Sequence, residues 1–217
     1  MKRRPRSRIV AALVHVARLS GALAILVGCG GRPAVEVRYP EANRAALASI
    51  PPHRVVVAPV ADLRVDTARI GSRLKDGAPV VTTRPVAEIV RDALALELAK
   101  NGHAVVLDTA DVTVTAAVES FWLDALRTYP GIQYVGRVAL TISLNGGGRR
   151  DPLLTRRYIG LARRVAEKTS ENDWRDVMDL ALSRAMHELA TDPDLVSALG
   201  HLPERAADSG GVTGTAR

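Results

Sequence analysis

The chain has 217 residues, 47% of them apolar and 24% charged, a balance that excludes an unfolded chain, a coiled-coil rod and a polytopic membrane protein. Its net charge is +7, yet six of the thirty bases and none of the acids precede Cys29, leaving 24 bases against 23 acids beyond residue 28. A near-neutral body with only 3% aromatic residues lacks both the basic face and the stacking platform of a nucleic-acid binder.

Lys2 to Arg8 form a basic n-region, and the apolar run behind it ends in Leu19-Ser20-Gly21-Ala22-Leu23-Ala24-Ile25-Leu26-Val27-Gly28, directly before Cys29. As a helix, Leu19 to Gly28 rises only about 15 Å, half of a hydrocarbon core of about 30 Å. Read from Ile9 the run is long enough to span. It then has to carry His15 and Arg18, and a mid-membrane arginine costs about 2.5–3.5 kcal/mol. Basic flank, short apolar core and a small residue before a cut point describe a secretory signal peptide over residues 1–28.

Leu26-Val27-Gly28-Cys29 resembles the lipobox of bacterial lipoproteins at all four positions. The resemblance implies S-diacylglycerol on Cys29, cleavage before that residue by the lipoprotein signal peptidase, and N-acylation of the new terminus. Two or more acyl chains make anchoring stable where one is marginal. In enteric-type bacteria an Asp after the cysteine favours inner-membrane retention. Gly30 stands there, so the implied destination is the periplasmic face of the outer membrane. The other readings are a buried thiol acting as a small hydrophobe and an uncleaved helical anchor over residues 9–28. A single cysteine excludes an intramolecular disulfide and a cysteine-based zinc site.

Residues 29–52 are rich in Gly, Pro and Ala, with Pro33, Pro40, Pro51 and Pro52 as breakers. They are expected to form the lipidated terminus and a flexible tether, with one short strand around Val35–Tyr39. Residues 53–200 are expected to hold the domain, and 201–217, with Gly210, Gly211 and Gly214, a disordered tail.

Arg54 to Val60 reads as a strand buried on both faces, with Pro59 at its end or at a bulge. After a loop containing Asp62-Leu63-Arg64 and Ile70-Gly71 comes Pro79–Thr82. Val86, Ile89, Val90, Ala93, Leu94 and Leu98 then recur at helical spacing. Thr83 is the expected N-cap, and Lys100-Asn101-Gly102 the expected end. His103 to Leu107 predicts a short returning strand. From Asp111 to Trp122 and from Ile132 to Leu144 the pattern has period two, with Ile132, Tyr134, Gly136, Val138, Leu140, Ile142 and Leu144 on one face. Asn145-Gly146-Gly147-Gly148 is a turn, and Leu153 to Val165 the partner strand. Ser170-Glu171-Asn172-Asp173 resembles a capping box. Behind it Trp174, Val177, Met178, Ala181, Leu182, Ala185, Met186 and Leu189 make a core stripe. Asp192-Pro193 opens a last short helix. The predicted class is α+β: a four- to five-stranded, mostly antiparallel mixed sheet in the order β-α-β-β-β-α, with two helices on one face.

Carried by the lipobox, Val55-Val56-Val57, Asp62-x-Arg64, Ile70-Gly71, the helix to Gly102, Tyr134 to Leu144, Tyr158-x-Gly160 and the Trp174 helix, the chain resembles the YajG-type family of bacterial lipoproteins over about residues 53–199. That family has no established reaction, so the resemblance implies location and architecture: a lipid-anchored envelope protein with a non-catalytic binding domain. Auxiliary lipoproteins of ABC-type lipid transport systems share the outline and form the alternative.

No catalytic or metal pattern emerges. His15, His53, His103, His187 and His201 are scattered, and His187-Glu188 lacks the second histidine of a zinc helix. Gly146-Gly147-Gly148 precedes a strand rather than a helix, so it lacks the context of a phosphate loop. Neither enzyme activity, cofactor nor metal is expected. Asp62 with Arg64 and Arg69 is read as an ion pair pinning the loop or as a ligand-facing cluster. The Arg156/Arg157 and Arg163/Arg164 doublets send one side chain to each face of a strand, suiting edge protection or contact with anionic headgroups. Phe121 and Trp122, with Tyr129, are expected to gather near the turn between two long strands. They are either an exposed contact for an envelope protein partner or core packing. The expected partners are thus the membrane, through the lipid, and an envelope protein.

Overall fold

The computed structural model describes residues 33–40, 44–146 and 151–202. Its strands are β1 Ala34–Val35, β2 Arg54–Val57, β3 Ala61–Asp62, β4 Gly71–Ser72, β5 Pro79–Thr82, β6 Ala104–Val105, β7 Val112–Arg127, β8 Ile132–Gly146 and β9 Leu154–Ala166. The helices are α1 Val86–Lys100, α2 Glu171–Thr191 and α3 Pro193–Gly200, and Ala46–Ser49 makes a single 3-10 turn.

β7 is the axis of the sheet. Along one edge it pairs antiparallel with β8, from Val112 opposite Gly146 to Arg127 opposite Ile132. Along the other it takes β2, β3 and β4 in succession, all parallel, through Val55–Val112, Ala61–Ala117 and Gly71–Leu123. β9 completes the antiparallel meander beyond β8. The mixed α+β class and the meander agree with expectation, but among the described residues the sheet has nine strands rather than four or five. The surplus comes from residues 34–82, where strands of two to four residues pair mostly with distant partners, β1 with β5 and β2, β3 and β4 with β7. A strand of two residues has too few positions to show a period.

Between Val118 and Ser120 the β7–β8 register shifts, so Glu119 is the extra residue of a bulge. Before it Val112, Val114, Ala116 and Val118 face the helices; after it Phe121 and Leu123 do. The inward faces of β7 and β8 meet α1 and α2, whose buried rows are those the periodicity predicts. At the centre α2 lies almost on the sheet backbone. A Cβ at Gly160 would overlap the Ala181 carbonyl oxygen and come within 2.7 Å of the Ala185 nitrogen, so only glycine admits the helix this closely.

The helix ends follow local chemistry. Ser170 caps α2, accepting from the Asn172 N–H at 3.2 Å. Asp192 closes α2 and caps α3, accepting from the Asp194 N–H at 2.9 Å. At α1 the expectation fails: the N-cap is Pro85, with no side-chain cap bond. Pro85 is still extended, so the helix begins at Val86 and Thr83 lies two residues too early to cap it; its N–H bonds the Val35 carbonyl, which continues the β1–β5 pairing.

The described residues before 53 do not stand off as a tether. Val35, Val37 and Leu47 are buried, and β1 pairs parallel with β5. The Arg38 N–H donates to Asp179 at 2.8 Å and the Ala45 N–H to Asn101 at 2.8 Å. Lys100 donates to the Tyr39 hydroxyl at 2.9 Å and pairs with buried Glu97 at 2.6 Å. The prolines break regular structure here without freeing the chain, because helix side chains satisfy its backbone groups.

Candidate functional site

Cys29 and the lipobox residues Leu26, Val27 and Gly28 lie outside the described residues, as do the signal segment 1–28, the turn residues Gly147 and Gly148, and the tail from residue 203. Within the described residues, no group of three His, Cys, Asp or Glu side chains is placed to hold a metal ion.

The conspicuous polar cluster belongs to the loop beside β4. Arg64, its side chain only 6% exposed, grips Asp62 through Nη2–Oδ2 at 2.8 Å and Nε–Oδ1 at 2.9 Å. It also donates to the carbonyls of Arg69 and Thr67 at 3.0 and 3.2 Å. The bidentate guanidinium holds the Asp62 carboxyl below its usual range. With its donors turned inward on the loop, Arg64 is a brace. It secures Ile70, which is buried, and Gly71, where a Cβ would strike the Leu123 carbonyl oxygen of β7. Arg69 pairs with Asp66 at 2.6 Å and lies 5.7 Å from the centre of the Trp122 ring.

The three aromatic candidates do not gather into a tip. The bulge turns Phe121 into the core at 0% exposure, while Trp122 is half-buried on the opposite face, its indole N–H on Asp124 at 2.8 Å. Tyr129 stands alone in the β7–β8 turn, fully exposed. A strict period carried through residue 119 cannot foresee this reversal.

What the structure does assemble is the sheet face turned away from the helices. Ile159, Leu161 and Val165 of β9 stand 41%, 43% and 60% exposed on it, beside Val135 and Arg137 of β8 and Trp122 of β7. A cavity of about 340 Å³ opens there between Val65, Trp122 and Arg137. The signal available beforehand was the alternation of Ile159, Leu161 and Val165 with small or inward residues, obscured by the arginine doublets. Those doublets do divide between faces. Arg157 reaches Glu119 at 2.6 Å on the outer face, and Arg164 reaches Asp173 and Asp176 of α2 at 2.7 and 2.9 Å. Arg156 pairs with Asp194. Protection of the β9 edge falls instead to α2: Glu188 accepts from the Ile159 N–H at 2.7 Å and Arg184 donates to the Leu161 carbonyl.

Two of the scattered histidines converge. His53 and His103 precede the parallel strands β2 and β6; their rings stack at 5.9 Å, 8° from parallel, and both are buried. The His53 N–H donates to His103 Nδ1 at 3.3 Å. Burial first, and the neighbouring His53 second, push His103 below the usual histidine range.

Comparison with known proteins finds a similar fold among solved structures. The chain is similar to the crystal structure of a Xanthomonas campestris protein described by the family model DUF330, with a TM-score of 0.54 and 16% identity, over 77% of this chain and 95% of that one. It is also similar to a minor lipoprotein of Acinetobacter baumannii, with a TM-score of 0.37 and 10% identity, over 63% of this chain and 91% of that one. At such identity the likeness to the Xanthomonas protein is one of fold. No family model matches the chain, and no curated protein matches it. The YajG-type resemblance therefore rests on the residues that suggested it, chiefly the lipobox, Asp62-x-Arg64 and Ile70-Gly71.

Proposed function

We propose that this protein is a lipid-anchored lipoprotein of the cell envelope whose α+β domain binds an envelope component and catalyses no reaction. The observation that carries the reading is Leu26-Val27-Gly28-Cys29 at the end of a basic, then apolar, leader. Acylation of Cys29 is the means of attachment, and Gly30 stands where an Asp would favour inner-membrane retention, which supports the outer membrane, facing the periplasm. Among the described residues no helix is long and apolar enough to cross a membrane, so those residues supply no competing helical anchor.

The binding role follows from how the polar groups are used. Arg64 with Asp62, Lys100 with Glu97, and Tyr158 with Asp192 are engaged with one another in bracing the fold. Growth with a labelled fatty acid tests the anchor: the wild-type protein carries the label, and Cys29→Ser does not and appears in the soluble envelope fraction. Label retained on Cys29→Ser, or absent from the wild type, contradicts the reading.

A further inference from the structure

One end of the sheet brings together the point where the chain enters the domain and a group of exposed apolar side chains. β1 runs parallel to β5, β5 antiparallel to β4, and β4 parallel to β7. The start of β1, the β4–β5 turn and the β7–β8 turn therefore lie at the same end, and the close of β9, with Ala166 opposite Ile132, joins them. There Leu126, Gln133 and Val165 form one row across β7, β8 and β9. Leu126 is 52% exposed and Val165 60%, and beyond them Tyr129 is fully exposed in the turn. The connection to the anchor is short. The Pro33 carbonyl accepts from the Val81 N–H, and Pro33 stands level with Val80, Gly71 and Leu123. From Leu123 to Arg127 β7 advances about 13 Å. From Cys29 to Pro33 the chain takes four residue steps, about 14 Å at full stretch. Acyl chains on Cys29 thus hold the bilayer scarcely farther out, along the strand direction, than the end of β7.

We propose that the domain lies end-on against the bilayer, with the Tyr129 side chain at headgroup level and Leu126 and Val165 beside it. The inference rests on the lipid anchor proposed above and names the surface that meets the membrane. Tyrosine has the apolar ring and polar tip that suit a membrane–water interface. One ring and two aliphatic side chains are too little to hold a free protein on a bilayer. Beside an anchor the contact is intramolecular, and a weak surface suffices. The attraction is apolar rather than ionic, since at this end Arg73, Lys75, Arg127 and Lys168 stand nearly in balance with Asp76, Glu167 and Glu171. An approach along the β1 edge fits less well. It sets the exposed ion pairs Glu36–Arg38 and Arg84–Asp92, which line one groove there, against the lipid.

The test uses the acylated full chain, purified from its native membranes and placed in vesicles of phosphatidylethanolamine with phosphatidylglycerol. Cys29 is the only cysteine, so Thr128→Cys, Arg38→Cys or Asp151→Cys, made one at a time, gives the acylated protein a single thiol for an environment-sensitive fluorophore. Thr128 adjoins Tyr129, Arg38 follows β1, and Asp151 precedes β9 at the opposite end of the sheet. The proposal expects a lipid with a nitroxide on its headgroup to quench position 128 and to leave 38 and 151 unquenched. Leu126→Ser with Tyr129→Ser removes most of the quenching at 128 at unchanged melting temperature. Replacing phosphatidylglycerol by phosphatidylcholine leaves it unchanged. Quenching at 38 or 151 in place of 128 overturns the end-on contact and leaves the anchor standing, as does quenching at none of the three in protein that floats with the vesicles. Quenching at 128 that survives both serines, or that disappears with phosphatidylglycerol, overturns it too. Protein that carries no acyl chain and does not float overturns both the contact and the anchor.

Discussion

The phenol of Tyr158, buried in β9, donates a 2.7 Å hydrogen bond to Asp192, the residue at which α2 ends and α3 begins. One carboxylate thereby ties the last strand, β9, to both helices that follow it, while Arg156 approaches it at 3.5 Å from the solvent side.

Asp192→Ala removes an N-cap and strands a buried phenol donor. Caps contribute about 1 kcal/mol and a stranded buried donor costs about 1–3 kcal/mol, so the expected loss in urea unfolding is about 2–4 kcal/mol. Tyr158→Phe leaves the carboxylate its remaining partners and is expected to cost about 1 kcal/mol. Equal losses for the two variants would contradict this division of roles.

Gly160→Ala places a methyl group against the Ala181 carbonyl. Overpacking of this kind costs about 1–3 kcal/mol, and here the obstacle is helix backbone, which cannot rotate aside. The expected outcome is a loss at the upper end of that range, read by thermal unfolding, with α2 displaced outward. A neutral Gly160→Ala would show that α2 packs less closely than described.

Asp179 and His103 impose opposite pH dependences. Burial pushes the Asp179 carboxyl up to about 6, against the lowering effects of the Arg38 N–H and the Arg175 charge. A raised carboxyl stabilises the fold fully below its ordinary value of 3.8 and loses that contribution as pH rises through about 6. Relative to wild type, Asp179→Asn therefore gains stability between pH 4 and 7, while its amide oxygen still accepts from Arg38. His103, kept neutral by burial, contributes stability above its ordinary value of 6.5 that is lost as pH falls. Denaturant midpoints of wild type, Asp179→Asn and His103→Gln across pH 4–8 separate the two. Parallel curves for wild type and Asp179→Asn would contradict the first assignment.

How much of this was legible beforehand follows element length. α1, α2 and the β7–β9 meander have enough positions for periodicity to name nearly every buried residue, from Val86 to Leu98 and from Trp174 to Leu189. β3 and β4, two residues each, are defined by what lies across from them on β7, information that no local window contains. The segment before residue 53 looked loose because its prolines exclude regular structure. It is held by Asp179, Glu97 and Asn101, all more than fifty residues away. For the site, the bulge at Glu119 decided the outcome: one extra residue sent Phe121 inward and Trp122 outward, so the aromatic cluster gave way to an open sheet face. Pairing His53 with His103 likewise required the parallel register of β2 and β6.

The most direct test of the account is the intact mass of the protein extracted from its native membranes. The account predicts a chain beginning at Cys29, heavier than the peptide from that residue by a diacylglyceryl group and an amide-linked acyl chain. A chain retaining Met1, or one beginning at Cys29 with an unmodified thiol, would contradict the lipid anchor.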